Sequence, residues 1–128
     1  MRSGFNVQNK EKGEIRMTIN EYQKLAMRTA PKRFESREEM LLNGVMGLCG
    51  EAGEALEILK KVRYQGHKMD WRHVERELGD VAWYLAMCAS ACGRSLESIL
   101  EMNIEKLRRR YPNGFSAEKS EHRAEGDL

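Results

Sequence analysis

Leu41, Val45, Leu48, Ala52, Leu56, Leu59 and Val62 recur at steps of three and four residues, and this stripe restricts the possible folds more than any other feature of the chain. At about 3.6 residues per turn these positions share one side of a helix. A strand would need apolar residues at every second position, and no such alternation of any length is present. A capping box, Ser36 with Glu39 in SREE, opens the segment and predicts one long helix that ends near Gln65 and Gly66.

The same punctuation recurs on both sides. In TINE, Thr18 and Glu21 form a second capping box, which starts a short amphipathic helix that runs to about Thr29, before Pro31. Asp70 caps a third helix, with a stripe of Val74, Leu78, Val81, Leu85, Cys88 and Cys92 that stops at Gly93. Ser95 caps a fourth, carrying Leu96, Ile99, Met102, Ile104 and Leu107; it ends at Tyr111 and Pro112, where Asn113-Gly114 supplies a turn. The expected fold is all-α, an antiparallel four-helix bundle with short connections.

A chain of 128 residues needs only one domain. Residues 17–115 carry the helical pattern. Residues 1–16 are polar and aperiodic and read as a mobile arm, and residues 116–128 read as a charged, frayed tail. With 33% charged residues and a net charge of +2, nothing global argues for a nucleic-acid partner. No apolar run approaches the ~20 residues of a membrane span, and the N-terminal stretch lacks the apolar middle of a secretory signal. These features predict a cytoplasmic protein. Cys49, Cys88 and Cys92 lie within apolar helical patterns and read as small buried hydrophobes; Cys88 and Cys92 have no neighbouring His or further Cys to complete a metal site.

The chemistry centres on GLCGEAGEALEILKK, residues 47–61, where three glycines and an E-A-G-E step interrupt an otherwise good helix. Glycine costs about 1 kcal/mol against alanine in a helix interior, so Gly47, Gly50 and Gly53 predict close approach of another helix or of substrate. Glu51 and Glu54 flank the apolar stripe of their helix, and Glu77 and Asp80, in ELGD, flank that of the next. Counted from the intervening turn, the two acidic pairs face each other at similar height in an antiparallel hairpin. One ExxE on a helix is common, and most are solvated acids paired with lysines. Two facing pairs are different, because crowded carboxylates repel unless a cation lies between them. Oxygen ligands suit Mg²⁺, which is commonly shared between protein carboxylates and a phosphate-bearing substrate.

The fourth helix offers a matching set. Asn103, Lys106 and Arg110 stand at i, i+3 and i+7, where an amide and two cations can meet phosphate oxygens, whereas Arg108 and Arg109 read as solvated charges. Lys61 projects to the same side as Glu54, seven residues on. Tyr84, four residues after Asp80, can pack against a sugar or base, and Trp83 reads as core. Trp71, His67 and His73 read as cap, packing or surface residues near the turn.

GLCGEAGE, then ERELGDVAWYL, then MNIEKLRRRYPNGF together resemble the MazG-like, all-α nucleoside triphosphate pyrophosphohydrolase family over about Met17 to Phe115. The resemblance implies hydrolysis between the α- and β-phosphates of a nucleotide, in nucleotide-pool house-cleaning. It implies Mg²⁺, or Mn²⁺ in its place, held by Glu51, Glu54, Glu77 and Asp80. Glu51 is one candidate among the four for the general base. Lys61, Asn103, Lys106 and Arg110 would meet the phosphates. Family members are similar in assembling as dimers or tetramers in which neighbouring chains complete the nucleotide pocket. The connection RYQGHKMD is expected to shape the pocket mouth differently from relatives, which leaves base preference open. Related enzymes include deoxynucleotide triphosphatases and phosphoribosyl-ATP pyrophosphohydrolases. An alternative is a non-catalytic helical partner protein with a structural divalent ion. A di-iron bundle is disfavoured, since it would need Glu-x-x-His pairs where this chain has ExxE and ExxD.

Overall fold

Each helix begins where a side-chain oxygen can accept an orphaned backbone N–H. The computed structural model describes residues 16–127 and contains α1 (Ile19–Met27), α2 (Arg37–Gln65), α3 (Trp71–Ala91), α4 (Leu96–Arg110) and α5 (Ala117–Glu121). The arm expected over residues 1–16 lies, apart from Arg16, outside the described residues. Thr18 Oγ1 accepts from the Glu21 N–H at 3.1 Å while Glu21 accepts from the Thr18 N–H at 2.7 Å, a complete capping box. At α2 only half of the expected box forms. Ser36 accepts from the Glu39 N–H, but the Glu39 carboxylate reaches one residue further back and accepts from the Glu35 N–H at 3.0 Å. Asp70 and Ser95 cap α3 and α4 as expected. A Schellman arrangement ends α3: the Gly93 N–H donates to the Ser90 carbonyl and the Arg94 N–H to the Ala89 carbonyl.

The five residues between α2 and α3 fold them into a hairpin, and α2 packs chiefly on α3. Its register can be read from contacts. Gly44 abuts Cys88 and Met87, Gly47 abuts Tyr84, and Glu51 meets Glu77 and Asp80. Numbers rise along one helix as they fall along the other, so the pair is antiparallel.

Glycine is required at two of these crossings. A Cβ on Gly44 would stand 2.7 Å from Cys88 Sγ, and one on Gly47 would overlap the Tyr84 ring. Gly50 and Gly53, expected to serve the same purpose, have open space where a Cβ would be. Gly47→Ala should therefore destabilise the chain by about 1–3 kcal/mol, the usual cost of overpacking. Gly53→Ala should instead gain about 1 kcal/mol from helix propensity alone. Urea unfolding of both variants checks this, and equal stabilisation by the two would contradict the close crossing.

The buried apolar side chains are few. Among the described residues they are Ala26, Ala86, Met87, Ala89, Ala91 and Leu96, where α1 and α4 close on the second half of α3. The Trp83 indole N–H donates to the Ala26 carbonyl at 3.1 Å and to Thr29 Oγ1 at 2.8 Å, so Trp83 is structural. Gln23 ties α1 to the α3–α4 connection, donating to the Arg94 carbonyl and accepting from the Leu96 N–H.

Much of the apolar stripe predicted for the core is uncovered in a single chain. Leu56 on α2 is 65% exposed, Leu78 on α3 56% and Met102 on α4 57%. Cys49 and Cys92 are exposed and Cys88 is half-buried, contrary to the expectation that all three are buried. Cys88 lies against Gly44 at the α2–α3 crossing, whereas Cys49 and Cys92 face outward. Beyond α4 the tail is more ordered than a frayed segment: Ser116 caps α5, and Asp127 returns to pair with Arg110. Among the described residues no helix is long and apolar enough to cross a membrane.

Candidate active site

Antiparallel pairing of α2 with α3 places Glu51 opposite the i, i+3 pair of Glu77 and Asp80. One carboxylate oxygen from each of the three lies within 4.8 Å of the others. Glu51 and Glu77 are half-buried and Asp80 is exposed. Burial holds the Glu51 carboxyl above the ordinary glutamate range, and the charges of Asp80 and Glu77, a hydrogen bond with Glu77 and the charge of Glu54 push it the same way. In the absence of a cation this crowding favours the protonated form of Glu51, and a bound cation would oppose it.

Glu54 stands one turn further along α2, exposed, close enough to act on Glu51 by its charge but outside the three-oxygen cluster. Two neighbours were not singled out by sequence. His73 Nε2 lies 2.9 Å from Glu77 Oε1, one turn earlier on α3. Tyr22, from α1, is near enough to Asp80 for that charge to add to burial in raising the phenol's pKa. The i, i+4 spacing of His73 and Glu77 was a usable signal, whereas nothing in EYQK marks Tyr22.

The substrate candidates do not all gather at these acids. Lys61 pairs with Glu57 at 3.7 Å. The Tyr84 ring lies against the backbone at Gly47 and meets Trp83 edge-on, with 5.0 Å between centroids. Asn103 is exposed on α4. Lys106 and Arg110 line a separate cavity of about 660 Å³ together with Arg109, which had been read as solvated. Residues 106, 109 and 110 are related by i, i+3 and i, i+4 steps, so the spacing was legible and the tail that makes the cavity was not.

The raised pKa of Glu51 has a testable sign. Its folded value exceeds the unfolded value of roughly 4.3, so the contribution to stability is complete below that pH and is lost as pH rises through the folded value. The melting temperature of the parent chain relative to Glu51→Gln, measured in chelator, should therefore fall as pH rises through this window. A relative rise would contradict the raised pKa of Glu51.

Residues 40–115, which hold nearly all of α2 and the whole of α3 and α4, match the family model described as the MazG nucleotide pyrophosphohydrolase domain. The chain is also similar to the gene 37 protein of Mycobacterium phage L5, with 36% identity over 76 residues, covering 54% of this chain and 64% of that protein. It thus spans under two thirds of that relative's length. No solved structure matches the chain.

Proposed function

Because the chain belongs to the MazG nucleotide pyrophosphohydrolase domain family, we propose that it hydrolyses (deoxy)nucleoside triphosphates to the monophosphate and pyrophosphate in nucleotide-pool house-cleaning. The observation that carries this reading is the convergence of Glu51, Glu77 and Asp80 on one point between two helices.

An all-carboxylate donor set suits a hard divalent ion, and crowding of the three acids favours one. Glu51, Glu77 and Asp80 would hold Mg²⁺, or Mn²⁺ in its place, with Glu54 joining from the adjacent turn. The ion supplies charge neutralisation for the triphosphate and the departing pyrophosphate. Glu51 is the candidate to accept a proton from the attacking water. The water oxygen bonds to the α-phosphorus as the bond to the α,β-bridging oxygen breaks, and that electron pair leaves with pyrophosphate. Lys61, Lys106 and Arg110 balance phosphate charge, Asn103 donates to a phosphate oxygen, and Tyr84 borders the sugar or base.

A second copy of the chain accounts for the uncovered apolar residues of α2, α3 and α4. In a dimer, or a dimer of dimers, the exposed stripes close into a bundle, and α4 of one chain can serve the acids of another. The cytoplasm, where nucleotides are made and consumed, is the matching location. A panel of nucleotides incubated with Mg²⁺ and assayed separately for pyrophosphate and orthophosphate tests the reading. Pyrophosphate release supports it. Mg²⁺ binding without any turnover would favour a structural ion in a non-catalytic partner protein.

A further inference from the structure

The tail beyond α4 folds back over the basic end of that helix. Arg110 donates from Nε to Asp127 Oδ2 at 2.6 Å and from Nη2 to Oδ1 at 2.7 Å, a two-pronged pairing in which both side chains are mostly shielded from water. Around it lies the cavity of about 660 Å³, a size within the roughly 300–1,000 Å³ typical of ligand sites. Lys106, Arg109, Arg110, Lys119 and His122 line it, against the carboxylates of Glu125 and Asp127. Arginines in a last helical turn complement the helix dipole, but the dipole does not account for Lys119 and His122 being brought round from the tail to the same cavity.

A guanidinium offers carboxylate and phosphate the same two-pronged geometry. We infer that this cavity is a polyphosphate site which the chain fills with its own Asp127, and that the phosphate chain of the nucleotide enters by displacing Asp127 from Arg110 while Lys119 and His122 stay in place. The inference rests on the pyrophosphohydrolase reading for the identity of its ligand. In the free chain Asp127 stands where a phosphate oxygen pair would bind Arg110, so the Arg110–Asp127 pairing lowers apparent affinity in proportion to the time it is formed.

Inorganic pyrophosphate is the probe, with binding measured by calorimetry on the full chain. Asp127→Asn keeps the side-chain shape, removes the charge and should tighten binding about tenfold, the factor for a site open a tenth of the time. KM for the best nucleotide should fall with it while kcat stays level. Glu118→Gln, the same charge change on exposed α5, should alter neither. In the unaltered chain, saturating pyrophosphate should speed hydrogen exchange over residues 124–127, a readout that does not depend on any variant. Equal pyrophosphate affinity in the parent chain and Asp127→Asn, or slower exchange in the tail, would overturn the displacement while leaving the hydrolase reading intact. Tighter pyrophosphate binding by Asp127→Asn in a chain that hydrolyses no nucleotide would uphold the displacement and remove the hydrolase reading.

Discussion

Asp80→Asn should lower kcat by on the order of 10²- to 10³-fold, the usual loss when one preorganised charge-stabilising group is removed. The substitution deletes a charge from the three-carboxylate cluster and changes almost no volume, so helical content should be unchanged. Stability without metal should hold or rise, because Asp80 is among the charges that hold the Glu51 carboxyl above its ordinary range. Glu54→Gln should also lose most turnover if Glu54 joins the ion from the neighbouring turn. Since Glu54 lies outside the tight cluster, its loss should be the smaller of the two and should recover more with excess Mg²⁺. Near-normal Mg²⁺-dependent turnover in Asp80→Asn would remove the acidic cluster from the reaction.

Lys106→Ala should reduce kcat/KM by an amount equivalent to roughly 2–5 kcal/mol, the cost of breaking a desolvated, hydrogen-bonded charge pair. Mg²⁺ affinity in the absence of nucleotide should hardly change, because an ammonium cannot ligate a cation. Lys106 is half-buried and lines the cavity at the end of α4, whereas Arg108 is exposed and is not among the lining residues. Arg108→Ala is therefore the control and should cost little. Equal losses from the two would mean that only bulk positive charge near α4 matters.

Features encoded within a few residues were legible in the sequence. Thr18, Ser36, Asp70 and Ser95 cap the four main helices because a cap depends only on a side chain and the N–H three residues on. Counting from the 66–70 turn set Glu51 and Glu54 opposite Glu77 and Asp80, since two antiparallel helices joined by a short turn have little freedom of register, and of these four Glu54 stands outside the three-oxygen cluster. Burial was not legible in the same way. Leu56 and Leu78 have the spacing of core residues yet are exposed in a single chain, because a helical stripe records that a face is to be covered without recording by what. The tail was missed for a related reason. Five helical residues and one ion pair leave no period in the sequence, and the closeness of Arg110 and Asp127 depends on a chain reversal between them.

Hydrolysis of the best nucleotide in ¹⁸O-labelled water, with both products analysed by mass spectrometry, tests the proposed chemistry most directly. Attack at the α-phosphorus, with departure of pyrophosphate, should place one labelled oxygen in the monophosphate and none in the pyrophosphate. Label in the pyrophosphate, or release of orthophosphate in its place, would contradict cleavage at the α-phosphorus by a water positioned beside Glu51, Glu77 and Asp80.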